Sequence, residues 1–146
     1  MNIFEHHFFT PKSETYFLKD DTTIRQALEK FDFHKFSVVP LIENDGTYLT
    51  TVSEGDILRY IKNQADFDIR LAENVLVTEI EKYHPYQACR HDVSIEEVFR
   101  LALNQNFVPI VDDRYSYIGI IKRKSILNYF CADLLSETKP ESGQSG

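Results

Sequence analysis

Phe36-Ser-Val-Val-Pro40-Leu-Ile42 is a short β-rich run that meets the turn Glu43-Asn-Asp-Gly46 and resumes as Tyr48-Leu-Thr-Thr-Val52. Two such runs around an Asp-Gly turn predict a β-hairpin. The pattern recurs as Phe107-Val-Pro109-Ile-Val111, a turn through Asp112-Asp-Arg-Tyr-Ser116, and Tyr117-Ile-Gly-Ile-Ile121. Pro40 and Pro109 stand 69 residues apart, and so do Ile57 and Ile126 in the segments that follow the hairpins. An offset shared by a proline, two strands and a following segment marks a duplicated unit.

Working outward, Ile24, Ala27, Leu28 and Phe31 fall on one helical stripe, and Ile95, Val98, Phe99 and Ala102 repeat it. Each stripe opens with a capping box, Thr23-x-x-Gln26 and Ser94-x-x-Glu97, so both helix starts are well fixed. A second helix follows each hairpin, with Ile57, Leu58 and Ile61 in the first copy and Ile126, Leu127 and Phe130 in the second, all read as packing residues. The predicted fold class is therefore mixed α/β (α+β): two β-α-β-β-α repeats packed about a pseudo-two-fold axis, because one repeat alone is too small to bury its sheet. Expected boundaries are residues 1–15 for an N-terminal segment, 16–62 and 86–135 for the repeats, 63–85 for a linker, and 136–146 for a disordered tail. The linker carries an amphipathic helix around Leu71, Val75, Leu76 and Ile80, and Ile3, Phe4, Phe8 and Phe9 are expected to dock on the core.

Composition excludes several function classes. With 23 acidic against 16 basic residues and a net charge of −7, the chain lacks the basic surface that nucleic-acid binding requires. Cys89 and Cys131, the only cysteines, lie far apart without zinc or disulfide spacing and suit a reducing cytoplasm. No apolar run approaches the ~20 residues of a membrane span, and the N-terminus lacks the pattern of a secretion signal. There is no GxGxxG, P-loop, HExxH or GxSxG motif, so neither an enzyme, a bound cofactor nor a metal site is expected.

Thr-Ile-x-x-Ala-Leu, then Val-Val-Pro-Leu-Ile, then a strand ending in Ser-x-x-Asp-Ile-Leu, from Thr23 to Leu58, resembles the CBS-domain (cystathionine-β-synthase) signature. The copy from Ser94 to Leu127 keeps Val-Pro-Ile-Val-Asp and Ile-Gly-Ile-Ile but ends in Lys122-Arg-Lys-Ser125. The resemblance implies a tandem CBS pair, or Bateman module, with two related clefts, an adenine nucleotide ligand (AMP, ADP or ATP) and frequent assembly into disc-like homodimers.

Ser53-Glu-Gly-Asp56 sits where a strand hands over to a helix, a place whose outward backbone N–H groups suit a phosphate. Asp56 could accept both hydroxyls of a ribose, with Gly55 allowing close approach. The same Ser-x-x-Asp is equally a helix-capping pair, and both readings stand at this point. In the second copy Lys122 and Ser125 replace the hydroxyl and the acid. The cluster Lys122-Arg123-Lys124 reads either as a phosphate clamp for the Asp56 site or as a solvated patch. By the resemblance, adenine would lie against Tyr86, Ala88, Asn106 and Phe107, although Phe107 also reads as core.

The leading expectation is a sensor in which a nucleotide bridges the repeats and biases the packing seen by a regulated protein. Cyclic di-AMP is the alternative ligand, since some CBS pairs with a basic run in the second repeat are similar. A ligand-free CBS dimerisation scaffold is the third reading.

Overall fold

The computed structural model describes residues 8–64, 66 and 68–132; Ile3, Phe4 and the expected tail lie outside the described residues. The first repeat runs β2 (Leu18–Lys19), α1 (Ile24–His34), β3 (Val38–Ile42), β4 (Tyr48–Ser53) and α2 (Glu54–Lys62). After α3 (Ile69–Asn74) come β5 (Cys89–Arg90), α4 (Ile95–Ala102), β6 (Phe107–Val111), β7 (Tyr117–Lys122) and a final helix, α5, described over 123–132. This is the mixed fold of two β-α-β-β-α units expected from the duplication. In each unit the first strand lies parallel to the second, Leu18 opposite Leu41 and Cys89 opposite Ile110, and the hairpin is antiparallel.

The local signals account for these elements. Thr23 and Gln26 form the expected reciprocal cap on α1, while Ser94 Oγ accepts the Glu97 N–H at the start of α4. Leu18, Ile24, Ala27, Phe31, Val39, Leu41, Val52 and Ile57 bury the first core, joined from the linker by Ala72, Val77 and Ile80. Val98, Leu101, Val108, Ile110, Ile121 and Ile126 build the second core, where Phe8 also docks. Leu58 and Leu127 do not belong to either: 60% and 54% exposed, they occupy matched places on the outer faces of α2 and α5, because the buried stripe passes through Ile57 and Ile126 instead.

A third cluster, Ile42, Tyr48, Phe107, Val111, Tyr117 and Ile120, packs one sheet on the other. The two hairpins meet reciprocally: Tyr48 N–H donates to the Tyr115 carbonyl and Tyr117 N–H to the Gly46 carbonyl, each at 2.9 Å. These two bonds exchange into one another under the 69-residue offset, which is the pseudo-two-fold axis expressed in the backbone.

The sequence patterns did not disclose one strand. β1 (Phe9–Pro11) lies ahead of the first repeat yet pairs antiparallel with β7 of the second, making the second sheet four-stranded in the order β1-β7-β6-β5, whereas the first has the order β2-β3-β4. β1 fits only because Gly119, at φ +156°, has no side chain: a Cβ there would lie 2.3 Å from the Thr10 carbonyl oxygen. The chain then turns through a 3-10 turn at Lys12–Glu14, and Thr15 Oγ1 shares a 2.8 Å hydrogen bond with the Tyr117 hydroxyl before β2 begins. The N-terminal segment is thus a strap across the junction of the repeats.

Candidate functional site

Where the strap crosses the junction it walls a groove. Glu14, Thr15 and Tyr16 form one side, Phe36, Val38, Val39 and Pro40 come from the first repeat, and Phe107, Ile120 and Lys122 come from the second. The cavity measures about 180 Å³. Its aromatic side is ordered by stacking, with the Tyr16 ring centroid 4.1 Å from His34 and the His34 and Phe36 rings nearly parallel at 5.7 Å. Pro40 has no N–H to present, and Val38 and Val39 add β-branched bulk, so the floor is apolar. Lys122, opposite Phe107 in the β6-β7 register, is exposed and supplies a cation; Glu14, also exposed, is the carboxylate among the lining residues. An apolar, aromatic slot with one charged group of each sign suits a planar base carrying hydroxyl and phosphate groups.

Asp56 stands at the start of α2 and lines a hollow separate from this groove. It is 5% exposed, and both its oxygens already accept hydrogen bonds, Oδ2 from the Ser53 N–H at 2.9 Å and Oδ1 from the Tyr83 N–H at 3.0 Å. Ser53 Oγ accepts the Asp56 N–H at 3.1 Å, completing a capping box on α2. Of the two readings of Ser-x-x-Asp, the structure shows the cap. The Asp56 carboxylate also ties the linker to α2 through Tyr83, whose ring lies 4.3 Å from the Arg59 guanidinium. Burial pushes the neighbouring Lys82 pKa down, and the Asp56 charge opposes that shift. The small hollow beside Asp56 is lined by Tyr60, Asn63, Gln64, Glu81 and Tyr83, without a cation. A Cβ on Gly55 would meet only Ser53 Oγ, at 3.5 Å, so no protein atom demands glycine there.

The clamp of three cations is not assembled either. Lys122 enters the groove just described, which shares no lining residue with the hollow at Asp56. Arg123 turns the other way: its Nε donates to the Ala102 carbonyl at 2.7 Å, satisfying the C-terminal end of α4, and its side chain borders the surface between α4 and α5. Lys124 is exposed on α5 and lines neither the groove nor the hollow at Asp56. The three residues straddle a strand-to-helix junction, so their side chains diverge.

Of the residues expected around adenine, Phe107 lines the groove and is also core, at 9% exposure. Tyr86, Ala88 and Asn106 belong to the other, symmetry-related side of the junction. There Tyr86 packs edge-on against Phe107 with centroids 4.9 Å apart, and its hydroxyl accepts the Asn106 N–H at 3.2 Å. Its own N–H donates to Thr51 Oγ1 and its carbonyl accepts from the Tyr48 hydroxyl, both at 2.8 Å. Ala88 is part of the packing around the third cluster. Sequence reasoning missed Glu14, Thr15, Tyr16 and Phe36; the available signal was the duplication itself, since counterparts of Tyr86 and Ala88 lie just ahead of β2.

A duplicated β-α-β-β-α module with a groove at the junction of its halves defines the class. The CBS domain family profile matches residues 10–63 and 77–132, and the chain belongs to that family. A CBS domain protein from Streptococcus pneumoniae TIGR4 superposes with a TM-score of 0.79 at 26% identity, covering 89% of this chain and 88% of the other. CbpB in complex with c-di-AMP gives 0.83 at 21% identity, covering 96% and 91%. Listeria monocytogenes CbpB, also in complex with c-di-AMP, gives 0.76 at 16% identity, covering 86% and 93%. No curated protein is matched by sequence.

Proposed function

We propose that this CBS pair is a non-enzymatic regulatory module that binds an adenine nucleotide in the groove between Tyr16, Phe36, Pro40 and Lys122. The observation carrying this reading is the convergence in one groove of an aromatic wall, an apolar floor, Lys122 and Glu14. The base lies against the aromatic wall, Glu14 accepts sugar hydroxyls, and Lys122 meets a phosphate at the exposed edge. Because the groove takes its walls from both repeats, a bound ligand favours one packing of the repeats and alters the surface offered to a regulated partner. We place this activity in the cytoplasm and in a homodimer that covers the exposed Leu58 and Leu127. No helix among the described residues is long and apolar enough to cross a membrane.

AMP, ADP or ATP is one reading of the ligand and cyclic di-AMP the other. Two observations favour the latter. Relatives of this fold are known as complexes with c-di-AMP, and the one lysine of the groove suits one singly charged phosphodiester group of that ligand better than the ionised phosphate chain of ADP or ATP.

Isothermal titration of the full chain with AMP, ATP and cyclic di-AMP tests the proposal. Binding of at least one, weakened about tenfold by Lys122→Ala, is expected, the loss of one charge-assisted hydrogen bond being worth about 1.4 kcal/mol or more. Heat from none of them overturns it.

A further inference from the structure

The two sides of the repeat junction are not equivalent. The parallel registers of Leu18 with Leu41 and of Cys89 with Ile110 make Gln87 the counterpart of Tyr16, each two residues ahead of its strand. Gln105 is correspondingly the counterpart of Phe36. On the second side the Gln105 side chain bonds both polar groups of the Gln87 backbone: Oε1 accepts the Gln87 N–H at 2.8 Å and Nε2 donates to the Gln87 carbonyl at 3.1 Å. Nε2 also donates to the Phe107 carbonyl, at 3.1 Å, and Gln105 is 7% exposed. On the first side the residue in that position is Phe36, whose side chain has no polar group, and the Tyr16 N–H and carbonyl have no hydrogen-bond partner among the described residues.

A carboxamide offers an acceptor beside a two-hydrogen donor. The edge of an adenine offers the same pair, a ring nitrogen beside the exocyclic amine. We propose that Gln105 stands in for a nucleobase on the second side, so that the chain takes no more than one base, which pairs with the Tyr16 backbone on the first side. Tyr86 completes the closure, because its ring and hydroxyl are committed to Phe107 and Asn106. Its counterpart on the first side is Thr15, a smaller residue turned to Tyr117. Of the two symmetry-related sides, one is filled by the protein's own amide and the other is left for a ligand.

The inference rests on the nucleotide-binding reading, and the test separates the two. The full chain is titrated with AMP, ATP and cyclic di-AMP, followed by hydrogen exchange with each nucleotide that binds. Wild type is expected to take up at most one nucleotide per chain, with protection at residues 15–17 and none at 86–88. The variant Tyr86→Thr/Gln105→Phe, which copies the first side onto the second, is expected to raise the stoichiometry to two, its circular dichroism serving as a check on folding. Two nucleotides per wild-type chain, or protection at 86–88, overturns the inference while leaving the nucleotide reading intact. A folded variant still limited to one overturns it as well. Should the variant fail to fold, the wild-type exchange pattern decides. Heat from none of the three overturns the nucleotide reading itself.

Discussion

Replacing Asp56 with alanine separates a structural carboxylate from one that holds ligand. The substitution leaves the N–H groups of Ser53 and Tyr83 without their acceptors, at a residue only 5% exposed. Hydrogen bonds to a charged acceptor contribute about 1.5–3 kcal/mol each, and Tyr83, 36% exposed, regains part of its loss from water. The expected destabilisation is about 3 kcal/mol. For a chain of this size that lowers the melting temperature by about 10 °C. Asp56→Asn keeps one acceptor and should lose about half as much. Urea unfolding measures the stability, and titration well below the melting temperature measures binding, which should change by less than about twofold since the ligand groove shares no residue with the Asp56 hollow. A variant that melts like wild type but loses nucleotide binding would refute the structural assignment and restore the ribose-acceptor reading.

Gly119→Ala should cost about 2 kcal/mol by overpacking against the Thr10 carbonyl and the Phe9 ring. It should also weaken nucleotide binding, because Glu14 and Tyr16 follow directly from the displaced strand; unchanged urea midpoints would contradict the role given to β1. Burial holds the Tyr117 hydroxyl up to a pKa of about 12, despite its bond to Thr15, and pushes that of Tyr48 upward too. The folded state therefore keeps protons that the unfolded chain releases above pH 10, so stability is full below that pH and falls as pH rises towards 12. Denaturant unfolding should give about 2 kcal/mol less at pH 11 than at pH 9, and Tyr117→Phe should reduce that difference. Lys122→Ala should leave stability within about 0.5 kcal/mol of wild type while flattening the salt dependence of nucleotide affinity. Titrations at two ionic strengths check this, and an unchanged slope would remove Lys122 from the phosphate contact.

Much of the fold could be read from local pattern. The hairpins, the caps at Thr23 and Ser94 and the stripes through Ile24 and Val98 each depend on residues within a few positions of one another, and the 69-residue offset multiplied their weight. β1 escaped because three residues of Phe-Thr-Pro carry no periodicity, and their partner β7 lies more than a hundred residues away. The site was harder still. Ser-x-x-Asp caps a helix whether or not a ligand is near, and only the bond from Tyr83, distant in sequence, shows where its second oxygen is directed. Lys122-Arg-Lys124 looks like a cluster along the chain, yet its first member enters one groove and its second closes α4. The grouping of Glu14, Tyr16, Phe36 and Lys122 exists only after the strap has crossed from one sheet to the other.

A crystal structure of the chain grown with cyclic di-AMP, and a second with ATP, is the most direct measurement. The expected result in at least one is a base lying against Tyr16 and Phe36 with a phosphate oxygen at Lys122 Nζ. A nucleotide seated instead at Asp56, or on the Gln105 side of the junction, would contradict it.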